Sequence, residues 1–255
     1  MANKHKPVSD LAYKKAKRSQ KSNLDFSLDI QIREDLTETQ KQIIEAALDK
    51  KTRCIVIDGS AGTGKSWTTI LSALLLLNSN AVKEIVYLRS LVQSKDGQTG
   101  FLKGDLDEKT FYYNEALNQT LSELIDTAEI KRLHDTDKIK CYPTSMLRSY
   151  NFHDAAVIAE ECQTMTFDSI FTIATRLGPY SKLFVIGDTV YQNDLGKSSG
   201  FKQFVDIFCS DPEAYDAGFR CFKLTSSQIV RSEFVKFIVQ KVESFQKQNG
   251  SSLIN

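Results

Sequence analysis

The chain has 255 residues, 41% of them hydrophobic and 25% charged, with a formal net charge of +1. That balance suits a soluble globular protein. The longest apolar stretch, "ILSALLLL" from Ile70, is too short to span a membrane, and the basic start has no apolar segment behind it to make a secretory signal. Five cysteines without a C-x-x-C pair read as free thiols in a reducing cytosol. Three scattered histidines give no zinc spacing.

Charge is unevenly placed along the chain. Residues 1–22 carry seven Lys/Arg and one Asp, a charge of +6, which leaves −5 for the remainder. This arm is polar, lysine-rich and weakly periodic, the composition of a disordered segment. It reads either as a grip on nucleic-acid phosphates or as a solubilising tail. The acidic body argues against a broad nucleic-acid-binding face. Residues 23–255 are read as a single domain, since no repeat or composition break divides them.

Beyond the arm, "LTETQKQIIEAALDKK" predicts a helix, with Thr37 as N-cap and Gln40 at the capping-box position. "CIVID" (54–58) is a buried strand, followed by a glycine loop and a helix over 65–78. "EIVYLR" (84–89) is a second strand. The glycine-punctuated "SKDGQTGFLKGDLDEK" is too long to be idle in a compact domain. It leads into a helix near 107–128, where Leu117, Leu121, Leu124, Ile125 and Ala128 share a face. "IKCY" (139–142) is a short strand stopped by Pro143. "AAVIAE" (155–160) and "SKLFVIGD" (181–188) are buried strands separated by the helix of "TFDSIFTIATRLG". A helix near 199–209, the strand "FRCFKL" (219–224) and an amphipathic helix over 232–246 follow. Apolar strands alternating with helices predict an α/β fold, a mostly parallel sheet with helices on both faces.

Between the first strand and its helix stands "GSAGTGKS", which satisfies G-x-x-x-x-G-K-[ST] without deviation. With glycine at about 7% of residues, the pattern arises by chance in roughly one chain in a hundred of this length. Glycines let the backbone turn its N–H groups onto phosphate oxygens, and the N-terminus of the next helix faces the same anion. Gly59, Ser60, Ala61, Gly62, Thr63, Gly64, Lys65, Ser66 and the following Trp67 are the expected nucleotide-binding residues. Lys65 offers a cation to the β/γ-phosphates and Ser66 a hydroxyl to magnesium.

Such a site also needs a carboxylate for magnesium, and often a second to orient the attacking water. "AVIAEE" ends on Glu160 and Glu161, and "KLFVIGD" ends on Asp188. Adjacent strand residues point to opposite faces, so the two glutamates cannot do the same job. Glu160 and Asp188 both stand as candidates for the metal.

The blocks "GSAGTGKS", "LRSLV", "GFLKGDLDEK", "DAAVIAEECQTMT", "TRLGPYSKLFVIGD", "QNDL" and "IVRSEFV", in that order, resemble the PhoH family, bacterial and phage ATPases related to the first RecA-like domain of superfamily-one helicases. The resemblance runs from about Leu36 to Phe245. It implies a RecA-like P-loop NTPase that hydrolyses ATP with magnesium in the cytoplasm, a host's cytoplasm if phage-encoded. It also implies a homo-oligomer such as a hexameric ring, with RNA or single-stranded DNA as the candidate polymer.

The family's D-E-A-Q-N pattern is met here by Glu160-Glu161-Cys162-Gln163-Thr164, which implies Glu160 at the magnesium and Glu161 at the water. The change from Asp to Glu moves the carboxylate by about 1.5 Å, enough to slow hydrolysis. The family's G-D-x-x-Q-x-D-L is one residue longer here, "GDTVYQNDL". Gln192 is then either the γ-phosphate sensor of the related helicases or part of a polar turn. Gln40 resembles the helicase glutamine that reads adenine, besides its capping position. Arg176 and Arg231 match family arginines. They offer a cation to the γ-phosphate, in cis or in trans, or make ordinary surface ion pairs. Two other readings stand beside the ATPase: an ATP-binding switch or scaffold with little hydrolysis, and a small-molecule or nucleotide kinase, against which the paired carboxylates argue.

Overall fold

The computed structural model describes residues 27–90, 106–144, 150–190 and 199–249. In chain order the elements are α1 (Glu38–Leu48), β1 (Cys54–Gly59), α2 (Lys65–Asn78), β2 (Glu84–Arg89), α3 (Leu106–Ser122), α4 (Thr127–Asp135), β3 (Ile139–Pro143), β4 (Ala155–Glu160), α5 (Phe167–Thr175), β5 (Lys182–Gly187), α6 (Phe201–Phe208), α7 (Pro212–Asp216), β6 (Phe219–Leu224) and α8 (Glu233–Asn249). The six strands form one sheet in the order β3-β2-β4-β5-β1-β6, and every pairing is parallel.

Strand side chains alternate between two cores, one on each face. Ile55, Ile57, Ile158 and Ile186 pack with Leu71 and Leu74 of α2. Val56, Val157 and Val185 pack with Ile170 of α5 and Phe201 and Phe204 of α6. Helices therefore cover both faces, which is why the central strands are apolar at nearly every position. Helix α2 packs against α1 on its outer side, so it is buried from Trp67 to Asn78. Thr37 caps α1 as its sequence predicts: its hydroxyl accepts from the Gln40 N–H at 3.2 Å, and Gln40 Oε1 accepts from the Thr37 N–H at 2.9 Å.

The expected helix over 107–128 is two helices. Helix α3 stops at Ser122, and α4 begins at Thr127. At the break the N–H groups of Leu124 and Ile125 both donate to the Leu121 carbonyl at 2.9 Å, and the Leu124 carbonyl accepts from Gln31 N–H at 2.7 Å. Leu124 and Ile125 stay buried, so the apolar spacing runs through a turn and conceals it. The short α7 was also not anticipated, although Asp211 caps it and Pro212 opens it.

The cysteine expectation needs correction as well. Cys209 and Cys221 form a disulfide with Cα atoms 5.4 Å apart, while Cys54, Cys141 and Cys162 are free and buried. Helix α6 and strand β6 bring the bonded pair together, which spacing along the chain does not reveal. Among the described residues, no helix is long and apolar enough to cross a membrane. The basic arm lies outside the described residues.

Candidate functional site

Strand β5 lies between β4 and β1, and all three run in the same direction. Their C-terminal ends therefore gather the glycine loop, Asp188 and the paired glutamates at one end of the sheet.

The loop after β1 turns on two left-handed glycines, Gly62 at φ 81° and Gly64 at φ 79°. A Cβ on Gly64 would stand 2.7 Å from Gln40 Nε2. The Thr63 hydroxyl donates to the Ser60 carbonyl at 2.8 Å, closing the loop on itself. Lys65 opens α2 and folds back, its Nζ donating to the carbonyls of Gly59 at 2.5 Å and Ser60 at 2.9 Å. Burial lowers its pKa, while the charges of Asp188, Glu160, Glu161 and Asp58 act in the opposite sense. The lysine thus sits among carboxylates.

Ser66 donates its hydroxyl to Glu160 Oε1 at 2.6 Å. Glu160 is 5% exposed, and its Oε2 is buried without a hydrogen-bond partner among the described residues. Burial raises its pKa from 4.5 to about 7; the Glu161 charge adds to the rise, while the Ser66 bond, Lys65 and Arg89 oppose it. Its neighbour lies past the last residue of the strand, so strand alternation does not set its direction, and both glutamates line one cleft. Glu161 leaves the strand in the left-handed region at φ 56°, ψ 43°. Its carbonyl accepts from the Thr164 N–H at 2.9 Å and from the Thr164 hydroxyl at 2.7 Å. Its carboxylate accepts from Gln163 Nε2.

Asp188 is 2% exposed, and its Oδ1 accepts from Val190 N–H at 2.8 Å. Thr189 ties the end of β5 to β1, donating to Asp58 from its N–H at 2.9 Å and from its hydroxyl at 2.8 Å. A cleft of about 570 Å³ opens over the loop. Lys65, Ser66, Glu160 and Glu161 line it, together with Gln40, Trp67 and Arg231; Asp188 is not in its lining.

A model of the family described as PhoH-like protein matches residues 32–243. The chain belongs to the PhoH family. PhoH-like proteins of Mycobacterium tuberculosis and Bacillus subtilis are each 32% identical to it, over 219 and 191 residues, or 85% and 75% of this chain. Those matches cover 59% and 57% of the relatives, so the chain spans less than two thirds of their length. The PhoH family is a P-loop ATPase family.

The remaining residues singled out from the sequence fall into three groups in this PhoH-family chain. Gln40 and Arg231 reach the cleft. The Val230 N–H donates to the Gly62 carbonyl at 3.0 Å, which fixes Arg231 beside the loop. Arg176 is not brought there. It caps the C-terminus of α5, and its carbonyl accepts from the Phe152 N–H at 2.9 Å, just before β4 begins. That is the opposite end of the sheet, so Arg176 does not join the cleft of its own chain. Gln192 lies outside the described residues.

Sequence reasoning passed over Gln163, which is buried beside Glu161 and also accepts from the Asp188 N–H at 3.2 Å. The available signal was a polar residue two positions after Glu161. It also assigned Trp67 no specific contact. The indole Nε1 is buried without a partner among the described residues, and the Arg33 guanidinium lies 5.9 Å from the ring centroid.

Proposed function

We propose that this chain binds ATP with magnesium at the Gly59–Ser66 loop and hydrolyses it. The observation that carries the reading is the convergence of a left-handed glycine loop, Lys65, the Ser66–Glu160 pair and Glu161 on one cleft. The loop and the start of α2 offer backbone N–H groups to an anion. The Lys65 ammonium donates to two loop carbonyls, and exchanging these for phosphate oxygens satisfies its charge better.

The donor set fits magnesium, a hard cation held by few protein oxygens. Glu160 Oε2 is a buried oxygen without a partner among the described residues, next to the Ser66 hydroxyl. Ser66 and Glu160 would hold the ion, in preference to Asp188, which is not in the cleft lining. Held by Ser66 and Glu160, magnesium would neutralise charge developing on the phosphate. Glu161, just past the end of β4, orients the attacking water and accepts its proton. Arg231 supplies a cation to the phosphate from the cleft rim.

Phosphate release under multiple turnover tests this reading. Magnesium-dependent release is expected, with a loss of about a hundredfold or more in Glu161→Gln and ATP binding retained. Trp67 is the sole tryptophan and lies in the cleft, so its fluorescence reports binding separately. Binding without release by the wild-type protein overturns hydrolysis and leaves the ATP-binding switch. That second reading is favoured by one observation: the raised Glu160 pKa lets a proton compete with the metal near pH 7.

We also propose self-association. Helix α8 leaves Phe234, Phe237 and Val242 at 72%, 57% and 43% exposure, directly after the cleft residue Arg231. A second copy would cover this face, and Arg176 would act in trans. Solution mass measurements on the wild type and Phe234→Glu test this; a wild-type monomer with full activity rejects it. RNA or single-stranded DNA is proposed as the polymer partner through the basic arm, tested by ATPase stimulation before and after removal of residues 1–22.

A further inference from the structure

Gln163 sits between the two strand ends that frame the site. It is 2% exposed, and both ends of its amide are engaged. Nε2 donates to the Glu161 carboxylate, and Oε1 accepts from the Asp188 N–H at 3.2 Å. Only this amide orientation satisfies both partners; the flipped one sets donor against donor and oxygen against carboxylate. Gly187 makes room for the arrangement. A Cβ there would lie 3.0 Å from Gln163 Oε1 and 2.6 Å from the Phe201 ring. Glu161 itself has left strand geometry for φ 56°, a region uncommon for residues other than glycine. The direction of its carboxylate is therefore set by its contacts, and among the described residues Gln163 is the side chain bonded to it.

We propose that Gln163 is a positioning residue that aims the Glu161 carboxylate and couples it to the end of β5. The inference rests on the hydrolytic reading of Glu161. The coupling is mechanical. Asp188 N–H, the Gln163 amide and the Glu161 carboxylate form one hydrogen-bonded chain, so a movement at the β5 end is passed to the group that faces the water. Gln163 touches neither substrate nor metal in this scheme.

The test uses the full chain with Gln163→Met, which keeps the length and removes both bonds, and Gln163→Asn, which keeps the amide but shortens the reach. Three quantities are measured: kcat and KM; hydrogen exchange at the Asp188 amide without nucleotide; and single-turnover hydrolysis of Gln163→Met in the Glu161→Gln background. Misplacement of a reacting group by about 1 Å costs on the order of a hundredfold, so kcat should fall about 10- to 100-fold with KM within about twofold. Exchange at Asp188 should quicken about tenfold. In the Glu161→Gln background the second substitution should cost less than about twofold, because no carboxylate remains to be aimed.

Wild-type kcat in Gln163→Met overturns the inference while leaving the hydrolytic reading intact. Equal losses in both backgrounds also overturn it, since they mark a general structural role. No turnover by the wild-type protein overturns the hydrolytic reading and this inference together. If Gln163→Met does not fold, the same cycle with Gln163→Asn decides.

Discussion

Ser66 and Glu160 stand 94 positions apart in the chain and share a hydrogen bond of 2.6 Å. One residue stands in the first turn of the helix after the glycine loop, and the other closes β4, two places from β1 in the sheet. The longer arm of glutamate, in place of the family's aspartate, is long enough to reach the serine hydroxyl directly. The remaining oxygen, Oε2, is left buried without a partner among the described residues.

This pair makes stability depend on pH in a definite direction. Burial raises Glu160 to about 7 in the folded chain, against 4.5 for an ordinary glutamate. Between those values the folded protein holds a proton that the unfolded chain has released, so stability falls as pH rises through the window. The penalty is absent below about 4.5 and full above about 7. In metal-free buffer Glu160→Gln should therefore melt higher than wild type above pH 7, with the difference shrinking towards pH 4.5. The same substitution should weaken the magnesium-dependent part of ATP affinity about tenfold or more. Melting curves that stay parallel across this pH range would reject the assignment.

Gly64→Ala should damage both the loop and the fold. The position is left-handed at φ 79°, which costs a residue with a Cβ about 1–2 kcal/mol, and the new methyl would meet Gln40 Nε2 at 2.7 Å. The expected result is a melting temperature lower by about 2–8 °C together with lost ATP binding by Trp67 fluorescence. An unchanged melting temperature would show that the loop relaxes at little cost.

Lys65→Met should separate binding from folding. The ammonium donates to two loop carbonyls and is held among carboxylates. Removing it should leave the melting temperature of the nucleotide-free protein within about 2 °C of wild type. ATP affinity should fall at least about tenfold. Retained affinity in a titration would remove Lys65 from the phosphate site.

The two arginines should behave differently. Arg231 lines the cleft of its own chain, so Arg231→Ala should lower turnover by about a hundredfold or more, whatever the protein concentration. Arg176 lies at the far end of the sheet. Arg176→Ala should lower turnover only if a neighbouring copy receives its side chain. Mixing it with Glu161→Gln protein, which carries an intact Arg176, should then restore part of the rate. A loss in Arg176→Ala that mixing does not relieve would point to a structural effect.

Local patterns made much of this protein legible. The capping box at Thr37 and Gln40, the glycine loop and the apolar strands all follow from residue type and spacing within a short window. The same window showed two adjacent glutamates, but strand alternation did not apply to the second, because the strand ends at Glu160 and Glu161 turns into the left-handed region. Periodicity failed at the α3–α4 break, because Leu124 and Ile125 keep their helical spacing while packing as a turn.

The rest depended on which strands became neighbours. Placing β5 between β4 and β1 decided that Glu160 meets Ser66. It also decided that Gln163 meets Asp188 and that Thr189 meets Asp58. The return of α5 to the opposite end of the sheet decided that Arg176 leaves the cleft. The approach of α6 to β6 decided which cysteines join. The sequence by itself determined the elements and the chemistry they carry, because helix, strand and phosphate loop are written in local spacing. Only the tertiary structure decided the partners, because strand order and register come from burying two apolar sheet faces at once, a condition no short window of residues contains.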